Sequence, residues 1–152
     1  MSDEKHYLVQ VFWEGPFSVE QAIERPEAAG QGVYQLYGQH IVFGLNSLLY
    51  IGMTDGQTFA RRLRQHRDRW LQYETDVSVR LGLLRDHGSL KLLRNIEALT
   101  IWWHSPPYNS KCIWRYGGTP LRVQNWGARG SLQPEYSSHW KPERVPPEGE
   151  EP

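Results

Sequence analysis

The stretch from Gly32 to Trp70 constrains the fold most. It reads as a strand carrying Gly32-Val33-Tyr34, a second strand carrying Tyr50-Ile51-Gly52, and an arginine-rich helix from Thr58 to Gln72. Between the strands, Gln39 to Ser47 is longer than a two-residue hairpin loop, has Gly44 and Asn46 as turn formers, and permits antiparallel pairing. Strand alternation sets Tyr34 with Leu36 on one face and Val33 with Tyr37 on the other. By the same rule Tyr50 shares a face with Leu48 and Gly52, opposite Ile51. Both faces carry apolar groups, so helices are expected on both sides, with the tyrosine rings buried and their hydroxyls partnered. Gly52 beside Tyr50 leaves room for another group to approach the backbone.

The flanking chain supplies the remaining elements. Tyr7 to Trp13 is rich in β-branched and aromatic residues and predicts a strand, turned by Glu14-Gly15-Pro16. Ser18 and Gln21 have the spacing of a capping box for a short helix that Pro26 limits. Val77 to Leu83 alternates with period two as a strand, and Leu90 to His104 is a helix opened by Gly88-Ser89 and stopped by Pro106-Pro107. Pro120 to Trp126 is a further short strand. With 152 residues and 39% hydrophobic content, the chain suits one core rather than two. The single domain is expected over 6–140, with loose polar residues at 1–5 and a disordered acidic, proline-containing tail at 141–152.

The net charge is zero, so any surface for polyanions is local rather than global. One cysteine, Cys112, excludes an internal disulfide framework, and six scattered histidines lack zinc-finger spacing. No secretory or membrane-spanning pattern is present, and a cytoplasmic, reducing setting with no membrane partner is the expectation.

Projected at about 100° per residue, the later helix carries Leu90, Leu93, Ile96, Leu99, Thr100, Ile101 and Trp103 on one broad arc, and Glu97 falls inside it. An unpaired carboxylate there is costly, so it needs a cation, as half of a buried ion pair or as a metal ligand, or else the helix rotates it outward. On the earlier helix Phe59, Leu63 and Trp70 form a stripe, with Arg62 and His66 on or beside it. Arg61 and Arg64 point away; with Arg67 and Arg69 they make either a solvated basic face or a path for phosphates. Arg62 is set to meet Glu97 or a phosphate, and His66 is set inward, as a core histidine or a functional one. Trp114 to Trp126 is a second aromatic segment for packing or contact. In isolation Tyr34 and Tyr50 read as core residues and Asn109 as a loop residue.

Together these pieces resemble the GIY-YIG nuclease family. The matching residues are Gly32-Val33-Tyr34 for the first signature, Tyr50-Ile51-Gly52 for the second, Arg62-Leu63 with His66 on the next helix, Glu97, and Pro107-x-Asn109. None is specific alone; their order and spacing carry the match. Tyr37-Gly38-x-His40 before Leu48-Leu49-Tyr50-Ile51-Gly52 also resembles a small stand-alone branch of that family. The resemblance implies an α/β (α+β) fold, a small mixed and largely antiparallel central sheet flanked by helices. It also implies hydrolysis of nucleic-acid phosphodiester bonds, DNA being the expected substrate, with one divalent ion, Mg²⁺ or Mn²⁺. Under it Glu97 would hold the metal and Arg62 would neutralise charge on the scissile phosphate. Tyr34 would activate or orient the attacking water, Tyr50 would support nucleophile and phosphate, Asn109 would brace the site, and His66 matches an assisting position.

The physical logic is compatible with this. One well-placed carboxylate argues for a single ion, and Mg²⁺ binds through one or two carboxylates while keeping waters. Tyrosine titrates near pH 10, so Tyr34 acting as a base requires a pKa depressed by neighbouring cations. One departure stands out. Many members carry a lysine directly after the second signature, where this chain has Met53, which holds no charge. His66, an outward arginine or His40 would then substitute for it. Otherwise the chain is a catalytically weak or inactive nucleic-acid-binding module, the second reading; an RNA phosphodiesterase is the third.

Overall fold

The computed structural model describes residues 7–85 and 88–139; the start at 1–5 and the tail at 141–152 lie outside them. The elements follow in order: β1 (Tyr7–Phe17), α1 (Val19–Glu24), a 3₁₀ turn (Pro26–Ala29), β2 (Val33–His40), β3 (Gly44–Met53), α2 (Phe59–Arg69), a second 3₁₀ turn (Leu71–Tyr73), β4 (Ser78–Leu84), α3 (Leu90–His104), β5 (Leu121–Gly127) and β6 (Glu135–Ser137). Local chemistry sets the helix ends. Ser18 Oγ accepts from the Gln21 N–H at 3.1 Å while Gln21 Oε1 accepts from the Ser18 N–H at 3.0 Å, closing the capping box. Thr58 and Ser89 cap α2 and α3 through their hydroxyls, and Ser105, with φ of 46°, ends α3 just before Pro106-Pro107.

Six strands form one curled sheet in the order β3-β2-β4-β1-β5-β6. The β1–β5 pair is parallel and the other pairs are antiparallel, so the sheet is mixed and largely antiparallel, as expected. Helices α1 and α2 cover one face, where Ala22, Phe59 and Leu63 pack on Tyr34, Leu36, Val79 and Leu81. Helix α3 covers the other, where Leu93, Ile96 and Leu99 pack on Val9, Val11, Val33, Ile51 and Val123. Among the described residues no helix is long and apolar enough to cross a membrane.

Four local expectations need correction. The turn at Glu14-Gly15-Pro16 is instead a skip in register within a continuing β1: pairing with β5 ends at Trp13, and pairing with β4 resumes at Phe17 opposite Val79. Pro16, which has no N–H to donate, sits where one side of the strand has no partner. The long β2–β3 link shrinks to a tight connection, because His40 already pairs with Gly44. Leu48 does not share a face with Tyr50: Leu36 pairs with Tyr50 but Tyr37 with Leu48, so Leu49 is an extra residue that flips the alternation. Leu48 joins the α3-side core and Tyr50 the α2-side core. Leu90, assigned to the apolar arc of α3, is 40% exposed on the first turn.

Candidate active site

The site gathers at the free edge of β3. Tyr34 from β2 and Tyr50 from β3 project to the α2 side with ring centroids 6.3 Å apart. The group that uses the space at Gly52 is Tyr34 itself: a Cβ on Gly52 would lie 2.4 Å from the Tyr34 hydroxyl. Tyr34 is wholly buried, and its hydroxyl oxygen lies 2.7 Å from His66 Nε2.

The tautomer of His66 follows from its other neighbour. The Trp70 indole N–H, which can only donate, gives its hydrogen bond to His66 Nδ1 at 3.0 Å. Nδ1 is therefore bare, and the single proton of the neutral ring is on Nε2, donated to the Tyr34 oxygen. That leaves the Tyr34 hydroxyl proton free for another acceptor. Burial, then the positive charges of Arg62 and Arg69, push His66 down to about 4, so it is neutral near pH 7. His66 thus orients Tyr34 and carries no charge near pH 7.

Both phenols resist ionisation. Burial drives Tyr34 well above the ordinary tyrosine value against the opposing pull of Arg62, and Tyr50 is raised by burial and by Glu97. The depressed pKa that a Tyr34 base requires is absent, because desolvation outweighs the one nearby guanidinium. In this structure Tyr34 is a hydroxyl donor that can orient water or phosphate.

Glu97 arrives from the opposite face of the sheet. It stands on α3, yet it acts electrostatically on both phenols, which is possible because β3 is an edge strand that a side chain can reach around. The Met53 backbone N–H, on that open edge, hydrogen-bonds to the carboxyl. Burial pushes Glu97 up to about 7, opposed by that N–H and by Arg62 and Arg94, and reinforced by Asp55. Among the described residues Glu97 forms no ion pair. Arg62 instead donates from Nη1 to Gln65 Oε1 at 2.9 Å, and its buried Nε has no partner. A carboxyl and a guanidinium thus influence the same two phenols without closing on each other.

Asn109 acts on β3 directly. Its Nδ2 donates to the Ile51 carbonyl and its Oδ1 accepts from the Ile51 N–H, both at 2.9 Å, while the Tyr108 N–H donates to the Leu49 carbonyl at 3.0 Å. This short segment stands in for a neighbouring strand and fixes the backbone between Tyr50 and Gly52. The remaining candidates lie apart. His40 sits at the hairpin end, where its Nδ1 accepts from the Val42 and Phe43 N–H groups, away from Met53. Arg61, Arg64 and Arg69 are exposed and unpaired among the described residues, whereas Arg67 bridges to Glu20 of α1 at 3.0 Å and to Asp68 at 3.2 Å. Arg67 is therefore partly committed to holding α1 against α2.

Three participants were not picked out from the sequence. Asp55 and Arg94 pair at 3.2 Å beside Glu97; the signal was an acid two residues past Met53 and a cation one turn before Glu97. Trp70, placed on the α2 stripe for packing, also sets the His66 proton, as the i, i+4 spacing allows. Met53 itself is buried in the α3-side core. Among the described residues no three His, Cys, Asp or Glu side chains converge. Compared with family models, curated proteins and solved structures, the chain matches none.

Proposed function

We propose that this protein is a metal-dependent endonuclease of the GIY-YIG type that hydrolyses nucleic-acid phosphodiester bonds, DNA in particular, through one divalent ion. The observation that carries this reading is the half-buried, unpaired Glu97 carboxyl facing the same two phenols as Arg62. A hard cation fits that donor set: a carboxyl held up to about 7 by burial and lacking an ion-pair partner gains most from a divalent ion, and Mg²⁺ needs only one or two carboxylates. Such an ion, Mg²⁺ or Mn²⁺, supplies Lewis-acid polarisation of phosphate and water.

The residues do the rest. Arg62, with an unused N–H, offsets the negative charge that builds on the phosphate. Tyr34, its oxygen held by His66, offers its hydroxyl proton to water or to a phosphate oxygen. Tyr50 flanks the same space, and Asn109 keeps β3 from shifting. Arg94, which pairs with Asp55 and acts on Glu97, is the cation assigned in this reading to the role vacated at Met53. Exposed Arg61, Arg64 and Arg69 offer phosphate contacts. An intracellular location belongs to this reading.

The test is a cleavage panel of linear, nicked, flapped and branched DNA in Mg²⁺ or Mn²⁺. Glu97→Ala should abolish cutting, and Arg62→Ala should slow it about 10²–10³-fold with the circular dichroism unchanged. Full activity in EDTA, or in the Glu97 variant, refutes the assignment. Met53 favours one second reading, a binding module without turnover; salt-sensitive binding with no cut on any DNA or RNA substrate supports it, and one defined cut dismisses it.

A further inference from the structure

The tip of the β2–β3 hairpin is the least expected surface of the molecule. Ile41 is 99% exposed, and Val42, Phe43 and Leu45 are 67–76% exposed, four large apolar side chains within five positions. The tip is nevertheless held in shape. His40 Nδ1 accepts from the Val42 and Phe43 N–H groups at 3.1 and 3.2 Å, the His40 ring stacks on Phe43 at 4.8 Å, and Ser47 Oγ donates to the Gly44 carbonyl at 2.8 Å. A shaped, solvated apolar tip is costly unless something covers it.

From that tip a band of rings leads to the candidate active site. His40 lies 6.0 Å from Tyr108, Tyr108 lies 5.4 Å from Trp70, and Trp70 lies 6.1 Å from Tyr50. Tyr108 is 40% exposed, and Trp70 and Tyr50 are half-buried, so the band is open to solvent along its length. Trp70 caps α2, the helix whose Arg61, Arg64 and Arg69 are exposed and unpaired among the described residues. Arg69 acts on His66, which packs against Tyr50 and Trp70, so positive charge lies at the inner end of the band, while the Glu74 carboxylate accepts from the Tyr108 hydroxyl at its middle.

We propose that the tip and this ring band bind unpaired nucleotides, with Phe43 and its neighbours set against the last base pair of a duplex and Tyr108 and Trp70 stacking the bases that follow. The inference rests on the nucleic-acid reading above and deepens it. Duplex DNA offers phosphates but hides its base faces, whereas a strand leaving a duplex offers both, matching rings beside arginines. An apolar protein partner would use the tip but would have no use for the Arg69 guanidinium at the inner end of the band. Stacking tolerates any base, so the preference concerns structure rather than sequence.

The experiment is binding of the full chain in EDTA, where cleavage plays no part. Fluorescence anisotropy compares a forked duplex with single-stranded tails against a fully paired duplex of equal length. The wild type should favour the fork by about tenfold or more. The double variant Ile41→Ser/Phe43→Ser, whose sites are exposed and whose fold is checked by circular dichroism, should bring fork and duplex to parity by weakening the fork far more than the duplex; Tyr108→Ala should lose most of the preference. Equal wild-type affinity for both ligands overturns the proposal, as does a preference that survives the tip variant. Wild-type self-association that the tip variant abolishes, with fork preference unchanged, overturns it in favour of a protein contact. Cleavage of paired DNA in Mg²⁺ without any fork preference leaves the nuclease reading standing and sinks this one alone.

Discussion

Replacing Glu97 by glutamine removes a charge while keeping an oxygen to accept from the Met53 N–H. The folded protein holds this carboxyl at about 7 against an ordinary 4.5, with burial as the largest cause. At about 1.4 kcal/mol per pH unit, keeping it ionised in the metal-free protein costs at most about 3 kcal/mol. The sign follows from proton counting. Between pH 4.5 and 7 the native state keeps a proton that the unfolded chain has lost, so the stability from the neutral carboxyl is complete below 4.5 and is lost as pH rises through 7. Glu97→Gln should therefore be nearly neutral at pH 4, should gain across that interval, and should plateau above pH 7. A chain of this size shifts about 2–4 °C per kcal/mol, so the plateau is a Tm increase of up to about 6–12 °C. Calorimetry in EDTA from pH 4 to 8.5 reads it. Mg²⁺ added at pH 8 should raise the wild-type Tm and leave the glutamine variant unmoved, while cleavage is lost. A variant that is less stable at pH 8, or a difference without pH dependence, would refute the argument that the site stores the cost of an uncompensated charge.

Asn109→Ala leaves both the N–H and the carbonyl of Ile51 without partners and should cost about 2–3 kcal/mol in urea unfolding, with faster hydrogen exchange at the Ile51 amide. Gly52→Ala drives a methyl into the Tyr34 phenol and should cost about 1–3 kcal/mol, a penalty that vanishes when the same change is made in a Tyr34→Ala background. Trp70→Phe removes the donor to His66 Nδ1 while the burial and the Arg62 and Arg69 charges remain, so the His66 pKa should rise only modestly above about 4; imidazole ¹⁵N NMR, which separates the two ring nitrogens, reads the tautomer, and a wild-type ring protonated on Nδ1 contradicts the assignment. His66 contributes to acid sensitivity in the opposite sense to Glu97. Its lowered pKa means stability present above about 6.5 is lost as pH falls through 4.

The site joins an edge strand to helices from both faces of the sheet. This accounts for the number of groups devoted to β3, where Asn109 satisfies Ile51 and Glu97 meets Met53. A free edge is a liability for a sheet, and here the covering groups include the proposed metal ligand.

Residues a few positions apart were readable because local chemistry decides them. The capping box of Ser18 and Gln21, the extent of α3 from Leu90 to His104, and the inward lean of Arg62 and His66 against outward Arg61 and Arg64 all follow from caps, prolines and the helical period. Strand β6 was missed because three residues hold too little pattern. It exists through contacts distant in sequence, Tyr136 with Thr100 at 2.7 Å and Ser137 with Trp103 at 2.9 Å. The flip of Leu48 was missed because one inserted residue, Leu49, changes every face before it, and pairing register is a property of two strands.

By itself the sequence determined the types of groups available: two phenols on neighbouring strands, one guanidinium and one imidazole on the inner side of a helix, and one acid on a later one. Tertiary structure decided that α3 lies on the face opposite Tyr34 and that β3 ends the sheet, so Glu97 acts on the phenols around an edge and, among the described residues, closes no ion pair with an arginine. It also decided the protonation states, since desolvation depends on everything packed around a group, and no spacing along the chain encodes it.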